Sequence, residues 1–333
     1  RYEDTIKLAD DPDYNQASFE GMLEIKGDTD HTKLIEMLDA LNDESQKIDD
    51  VLDTHFDSEN LVYWLAFQIL TGNCDTQNRN CYLYSPLNSN TWYFLDWDND
   101  GMLRKLELSL TGFSDYASWE RGVSNYWGNV LFNRALRSKS FRSDLDRAVK
   151  DLRSYMTEAR LSKMIKHYRE VTESLVFASP DIDHLPVTKD QYEQIAAAIP
   201  SEIEENYKSF RESFKKPMPF YIGVPQIDNG KLRINWDASY DFEARDIRYT
   251  VELARDYAIS DVVFKAEDVL LPEVTCDAPD TGQYFVRVRA TNSDGYTQDA
   301  FDYYVTDDGK HYGMKCFYVQ DGGKVVEDTY EEG

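Results

Sequence analysis

Hydrophobic periodicity changes once along this chain, at the segment "KKPMPF" (Lys215–Phe220), and that change sets what the chain can fold into. Before it, apolar residues recur at helical spacing over long segments; beyond Pro217 and Pro219 they alternate. A period near 3.6 buries one stripe of a helix, and a period of 2 buries one face of a strand. Neither part can take the other's structure without exposing its core residues. At 333 residues the chain is also long enough for two domains. The expected fold class is α+β multidomain: a mostly helical portion over 1–215, an all-β sandwich over 217–320 and an acidic tail over 321–333.

Within the helical portion, residues 1–30 are acidic and irregular, with "ADDPDYN" and "GDTD" as turns. From Thr32 to about Phe56, Leu34, Ile35, Leu38, Leu41, Ile48, Val51 and Leu52 recur near helical spacing. "FDSEN" then offers Asp57 or Ser58 as an N-cap. The following "LVYWLAFQILTGN" is apolar on nearly every side, which predicts a helix buried all round that ends at Gly72 and Asn73. "CYLYS" and "TWYFLDW" predict two strands of a hairpin around "PLNSN". Amphipathic helices are predicted at 125–137, 139–155, 157–176 and 188–214. Beyond the switch, "KLRINWDAS", "IRYTVELARD", "GQYFVRVRATNSDG" and "DAFDYYV" are strands separated by turn residues.

Charge narrows the partners. With 62 acidic against 36 basic side chains the formal charge is −26, a surface that repels nucleic acid and anionic membranes. No apolar run is long enough to span a bilayer, and no signal-peptide pattern is present. A polyanion can bind such a protein only with a cation to offset the repulsion, which directs attention to divalent metal. Four cysteines (Cys74, Cys81, Cys276, Cys316) make neither a disulfide scaffold nor a C-x-x-C pair, so zinc is not expected; Cys74 and Cys81 are expected as buried free thiols. The basic stretch "RLSKMIKHYRE" is expected to pair with acids of its own chain.

The chemistry concentrates in Thr71–Gly101, "TGNCDTQNRNCYLYSPLNSNTWYFLDWDNDG". Phosphoryl transfer needs a carboxylate to orient the attacking hydroxyl and divalent metal to neutralise the phosphates. Kinases supply these from a D-x-x-x-x-N loop and from a further acid after a β-hairpin. Here Asp75-Thr-Gln-Asn-Arg-Asn80 is D-x-x-x-x-N, a buried helix precedes it, and a hairpin leads from it to Asp98 in "LDWDND". Asp96-x-Asp98-x-Asp100-Gly101-x5-Glu107 also fits the EF-hand loop pattern. The strand-like "NTWYFLDW" stands where an EF-hand has its entering helix, and Arg104 would bring a cation to the ion. A solvated acidic turn accounts for the carboxylates alone, and not for their place beside Trp92, Tyr93, Phe94 and Trp97 after such a loop.

"GNCDTQNRNCYLY…WYFLDWDND" resembles the G-N-x-D … N-x-Y-L-Y … W-D-x-D pattern of the CotH kinase family, atypical kinases named after a spore coat protein. The likeness is densest over about 60–101; the missing His-Arg before Asp75, and "DND" in place of D-F-G, set the chain apart from ordinary protein kinases. It implies a kinase-like C-terminal lobe that binds ATP with Mg²⁺ (Mn²⁺ or Ca²⁺ as substitutes) and phosphorylates serine in a protein partner. It implies Asp75 as catalytic-loop acid, Asn80 as metal-binding amide and Asp98 as principal metal ligand; it fixes no role for Asp96 and Asp100, whose candidate places are at a second metal or behind the ligands of the first. Arg79 is a candidate phosphate-neutralising residue. A catalytically degenerate binding module and a calcium-stabilised domain are the alternatives. Nothing before Asp75 looks like the lysine-bearing β-lobe of a kinase, since Lys7 and Lys26 lie outside any glycine-rich hairpin, so that lobe is expected upstream of Arg1. Over 217–306, Trp236, the alternation Tyr284-x-Val286-x-Val288-x-Ala290-x-Asn292 and Gly295 resemble a fibronectin type III module. Together these resemblances imply a bacterial protein at an extracellular, cell-surface or spore-surface location.

Overall fold

A computed structural model describes residues 12, 14–23, 29–77, 80–112, 117–307 and 309–328. In chain order the helices are α1 (Gln16–Gly21), α2 (Thr32–Asn42), α3 (Ile48–His55), α4 (Ser58–Thr71), α5 (Lys105–Leu110), α6 (Val130–Arg137), α7 (Lys139–Tyr155), α8 (Glu158–Val176) and α9 (Lys189–Ser213). Strands β1 (Cys81–Tyr84) and β2 (Tyr93–Asp96) lie between α4 and α5. The remaining strands follow α9: β3 (Gln226–Asp228), β4 (Lys231–Asn235), β5 (Ile247–Ala254), β6 (Val262–Val269), β7 (Glu273–Asp277), β8 (Gly282–Asn292), β9 (Thr297–Asp299), β10 (Tyr303–Thr306), β11 (Gly309–Tyr312), β12 (Met314–Val319) and β13 (Val325–Glu327). The protein is thus α+β and multidomain, as the periodicity predicts. Two compact units divide it: Arg1–Phe67, Asn78–Asn99 and Asn129–Leu152 make one, and Gln68–Gln77, Asp100–Gly128 and Arg153–Gly333 the other.

In the first unit the predicted pattern over Thr32–Phe56 resolves into two helices. The break falls at Asp43, whose carboxylate accepts from Ser45 and Gln46 instead of leaving the turn to helix. Asp57 caps α4 by accepting from the Asn60 amide at 2.8 Å. Arg134 on α6 donates to the carbonyls of Ala40, Leu41 and Gln46, which satisfies the open C-terminal end of α2. The helix predicted from 125 begins only at Val130. Gly122–Tyr126 is a buried 3₁₀ turn, and Asn129 starts α6 afresh by accepting from Leu131 N.

The second unit contains α8, α9 and the sandwich. A three-stranded sheet, β3-β4-β7, faces a larger sheet ordered β13-β12-β8-β5-β6, with β9 on β8. They share a core of Leu232, Ile234, Trp236, Val251, Val286, Val288 and Phe317. The inward positions alternate along each strand, as a sheet with one buried face requires. At the helix-to-strand switch the chain is pinned: Met218 and Phe220 are buried, and Asn292 Nδ2 donates to Lys215 O at 2.8 Å. Val325–Glu327, inside the predicted acidic tail, instead pairs with β12 as strand β13. The basic stretch of α8 is partly tied within the chain, with Arg169 3.2 Å from Glu193 and the Arg160 guanidinium over the Tyr155 ring. No described helix is long and apolar enough to cross a membrane.

Candidate functional site

The hairpin β1–β2 forms as predicted, in antiparallel register with Cys81 opposite Asp96, Tyr82 opposite Leu95, Leu83 opposite Phe94 and Tyr84 opposite Tyr93. That register carries a consequence for the site. Asn80 precedes β1 and Trp97–Asp98 follows β2, so the predicted metal amide and the predicted metal acid leave the hairpin at the same open end. Both adopt the left-handed conformation, Asn80 at φ 49° and Asp98 at φ 51°. Residues with side chains rarely do so, although Asn and Asp tolerate it best, and such conformations gather at ligand sites.

Packing below the hairpin fixes where that end points. Phe94 is buried against Trp64, at 4.7 Å between ring centroids, and against Phe132 at 6.0 Å. Asn60 of α4 grips the Phe94 backbone from the side, its Oδ1 accepting from the amide at 2.7 Å and its Nδ2 donating to the carbonyl at 3.1 Å. The side-chain amide thereby takes the place of a neighbouring strand. Lys33 closes the far loop by donating to the carbonyls of Pro86 and Ser89, both at 2.8 Å. Sequence reading found neither residue. On the hairpin's other face Tyr82, Tyr84, Leu95 and Trp97 are exposed, with the Tyr82 and Trp97 rings 5.0 Å apart. Cys81 is exposed as well, against the expectation of a buried thiol, although its register opposite Asp96 puts it on the face of Leu83 and Phe94, at the open end of the hairpin; Cys74 is half-buried, and all four cysteines are free.

In the second unit the loop carrying Asp75 is built on buried polar groups. Gly72 ends α4 at φ 63°, and a Cβ there would stand 2.6 Å from Asn206 Nδ2 and 2.7 Å from Arg121 Nη1. Those side chains donate to carbonyls where α4 passes into the loop, Arg121 to Gly72 O at 2.8 Å and Asn206 to Leu70 O at 3.1 Å. Asn73 is 1% exposed; it donates to Gln68 Oε1 at 3.0 Å, and its Oδ1 accepts from the Asp75 amide at 3.2 Å. Gly101, closing "DWDNDG", packs directly on this loop, since a Cβ there would meet Asn73 Oδ1 at 2.8 Å and Asp75 Cβ at 3.0 Å. Two residues on, the Leu103 amide donates to Thr71 O at 2.9 Å. The exit from the acidic segment and the Asp75 loop are thus stitched together, and Glu202 of α9 accepts from the Lys105 amide at 3.1 Å to hold the same exit. Burial pushes the Glu202 carboxyl above the usual glutamate range, and burial likewise pushes up the Cys74 thiol. Arg121 and Asn206 escaped sequence reading, though a polar Asn206 on the apolar stripe of Ile203 and Phe210 is a signal that could have found one of them.

Asp75 is therefore half-buried on a braced loop, Asn80 is half-buried at the hairpin's open end, and Asp96, Asp98 and Asp100 are exposed. Arg79, Lys7 and Lys26 lie outside the described residues. Among the described residues no group of three or more His, Cys, Asp or Glu side chains is gathered in a way that could hold a metal ion. The EF-hand pattern is further weakened by its surroundings. Strand β2 enters the acidic run, and Glu107, at the twelfth place, is engaged by Arg104 at 2.9 and 3.1 Å.

No curated protein matches the chain. Among solved structures, the twitchin kinase region from C. elegans (Fn31-NL-kin-CRD-Ig26) is similar at 18% identity over 28% of this chain and 20% of that one, with a TM-score of 0.22. The chain spans about a fifth of that structure, and so slight a likeness bears no weight. A family model described as CotH kinase protein matches residues 2–210, the stretch that contains the Asp75 loop, the hairpin and the braces on α9. That is well over half of the 333 residues, and the chain belongs to the CotH kinase family.

Proposed function

We propose that this chain is the nucleotide-handling part of an atypical protein kinase, transferring the γ-phosphate of ATP to serine in a protein substrate. The observation that carries the proposal is the convergence of Asn80 and Asp98, both left-handed, on one end of the hairpin that follows the Asp75 loop. The donor set fits a magnesium nucleotide better than a calcium cage. Calcium takes six to eight protein or water oxygens, whereas magnesium is commonly held by one or two protein groups plus substrate phosphates and water. One acid and one amide at the hairpin end satisfy the second description, whereas no three-carboxylate cluster of the first kind is present among the described residues. Bound there, the metal would neutralise phosphate charge.

In this reading Asp98 and Asn80 would hold the metal, and Asp75 would orient the serine hydroxyl and accept its proton. Asp96 and Asp100 add negative potential around the cation. The exposed face of Tyr82, Tyr84, Leu95 and Trp97 offers flat aromatic surface of the kind on which a nucleobase stacks. The sheet order, β3-β4-β7 against β12-β8-β5-β6, supports the fibronectin type III-like reading of the region beyond Pro217, and with it an extracellular or spore-surface setting. Isothermal titration of the chain with Mg²⁺-ATP tests the site, with Asp98→Asn beside it. Binding that weakens at least tenfold in the variant is the expected result, while equal affinity in both proteins removes Asp98 from the site. A chain that binds Mg²⁺-ATP and transfers no phosphate would favour the degenerate-module reading.

A further inference from the structure

Tyr126 closes the 3₁₀ turn Gly122–Tyr126 and is 1% exposed. Its hydroxyl lies 3.2 Å from Asn73 O and 3.0 Å from Thr76 Oγ1. These two partners stand on either side of Asp75. A phenol has one proton to donate and lone pairs to accept with. Donation to the Asn73 carbonyl and acceptance from the Thr76 hydroxyl satisfy all three groups at once. Thr76 and Asn73 are each 1% exposed, so water cannot readily replace the phenol.

The tether acts on a segment already held from the other side. The Asn73 side chain reaches back to Gln68 and forward to the Asp75 amide, and Arg121 grips the Gly72 carbonyl. The turn carrying Tyr126 is itself fixed on α9: a Cβ at Gly122 would stand 2.6 Å from Ser213 Oγ, and the Val123 amide donates to that oxygen at 3.2 Å. Helix α9 thus reaches both flanks of Asp75 through one hydroxyl, at the Asn73 carbonyl on one side and the Thr76 side chain on the other.

We propose that Tyr126 is a positioning residue for Asp75: its hydroxyl, bridging Asn73 and Thr76, sets the direction in which the Asp75 carboxylate is presented. The inference rests on the kinase reading of Asp75 for its catalytic meaning, and on the hydrogen bonds alone for the tether. A displacement of about 1 Å at a reacting group can lower a rate on the order of 100-fold while leaving remote binding intact.

The test uses the full chain with Tyr126→Phe, which keeps the ring and removes only the hydroxyl, and Thr76→Val, which removes the other half of the bridge; Thr76→Ser restores a hydroxyl. In Tyr126→Phe, amide hydrogen exchange at Asp75 and Thr76 should rise about tenfold or more, with strand β8 unchanged. Where wild type transfers phosphate, kcat should fall roughly 10- to 100-fold with KM for ATP unchanged. Thr76→Val should follow Tyr126→Phe, and Thr76→Ser should recover most of the wild-type exchange and rate. Wild-type exchange at Asp75 and Thr76 in Tyr126→Phe overturns the proposal, as does an equal loss of protection in β8, which would mark a merely structural role. A wild-type chain that neither binds Mg²⁺-ATP nor transfers phosphate would sink the kinase reading, and the exchange measurement then decides the tether by itself.

Discussion

Replacing Asn60 by alanine separates the hairpin's anchorage from its intrinsic pairing. The side chain supplies an acceptor to Phe94 N at 2.7 Å and a donor to Phe94 O at 3.1 Å. Phe94 is 5% exposed, so neither backbone group gains full access to water when the amide is gone. Each neutral hydrogen bond is worth about 0.5–1.5 kcal/mol net, and more where a buried group stays unpaired, which puts the loss at about 2–3 kcal/mol. At 1.4 kcal/mol per decade this is roughly 30- to 150-fold in the opening equilibrium of β2. The assay is native-state amide exchange along Tyr93–Asp96, with β8 as the reference strand. Faster exchange in β2 alone, together with weaker Mg²⁺-ATP binding, is expected, because Asp98 follows β2 by two residues. Exchange within twofold of wild type would refute the claim that Asn60 stands in for a missing strand.

Two further outcomes test the second unit. Gly72→Ala should destabilise it by about 2 kcal/mol or more, since alanine at positive φ is strained and its Cβ meets Asn206 and Arg121 at 2.6 and 2.7 Å; chemical denaturation followed by tryptophan fluorescence measures it. Burial holds the Glu202 carboxyl above the usual glutamate range, so the folded protein binds that proton more tightly than the unfolded chain. The stability this group contributes is therefore full below the ordinary glutamate pKa and is lost as pH rises through the raised folded value. Glu202→Gln keeps an acceptor for Lys105 N and should flatten that fall, which denaturation midpoints at pH 5 and pH 8 in both proteins will show. A fall of the same size in the variant would assign the pH dependence to other groups.

Features that depend on neighbours in sequence were legible without the structure. The all-round apolar α4 stops at Gly72 because only glycine enters the left-handed cap there without a clash, and the hairpin of Cys81–Tyr84 with Tyr93–Asp96 follows from alternation around a turn. Helix α5 escaped because six residues, "KLELSL", are too few to show a period. Strand β6 escaped because, at the sheet edge, it is exposed at most positions.

Local pattern determined which pieces of this protein are helix or strand, and the order in which an acid, an amide and a second acid come along the chain. Tertiary structure alone decided what holds them. Tyr126 meets Asn73 across 53 residues, Glu202 meets the Lys105 amide across 97, and Asn206 meets Leu70 across 136. Periodicity records only whether a side chain faces inward. A buried polar group must also find its complement, and which one it finds depends on how distant segments close on each other. The braces around Asp75 are buried polar groups of this kind, so they became visible only in the folded chain.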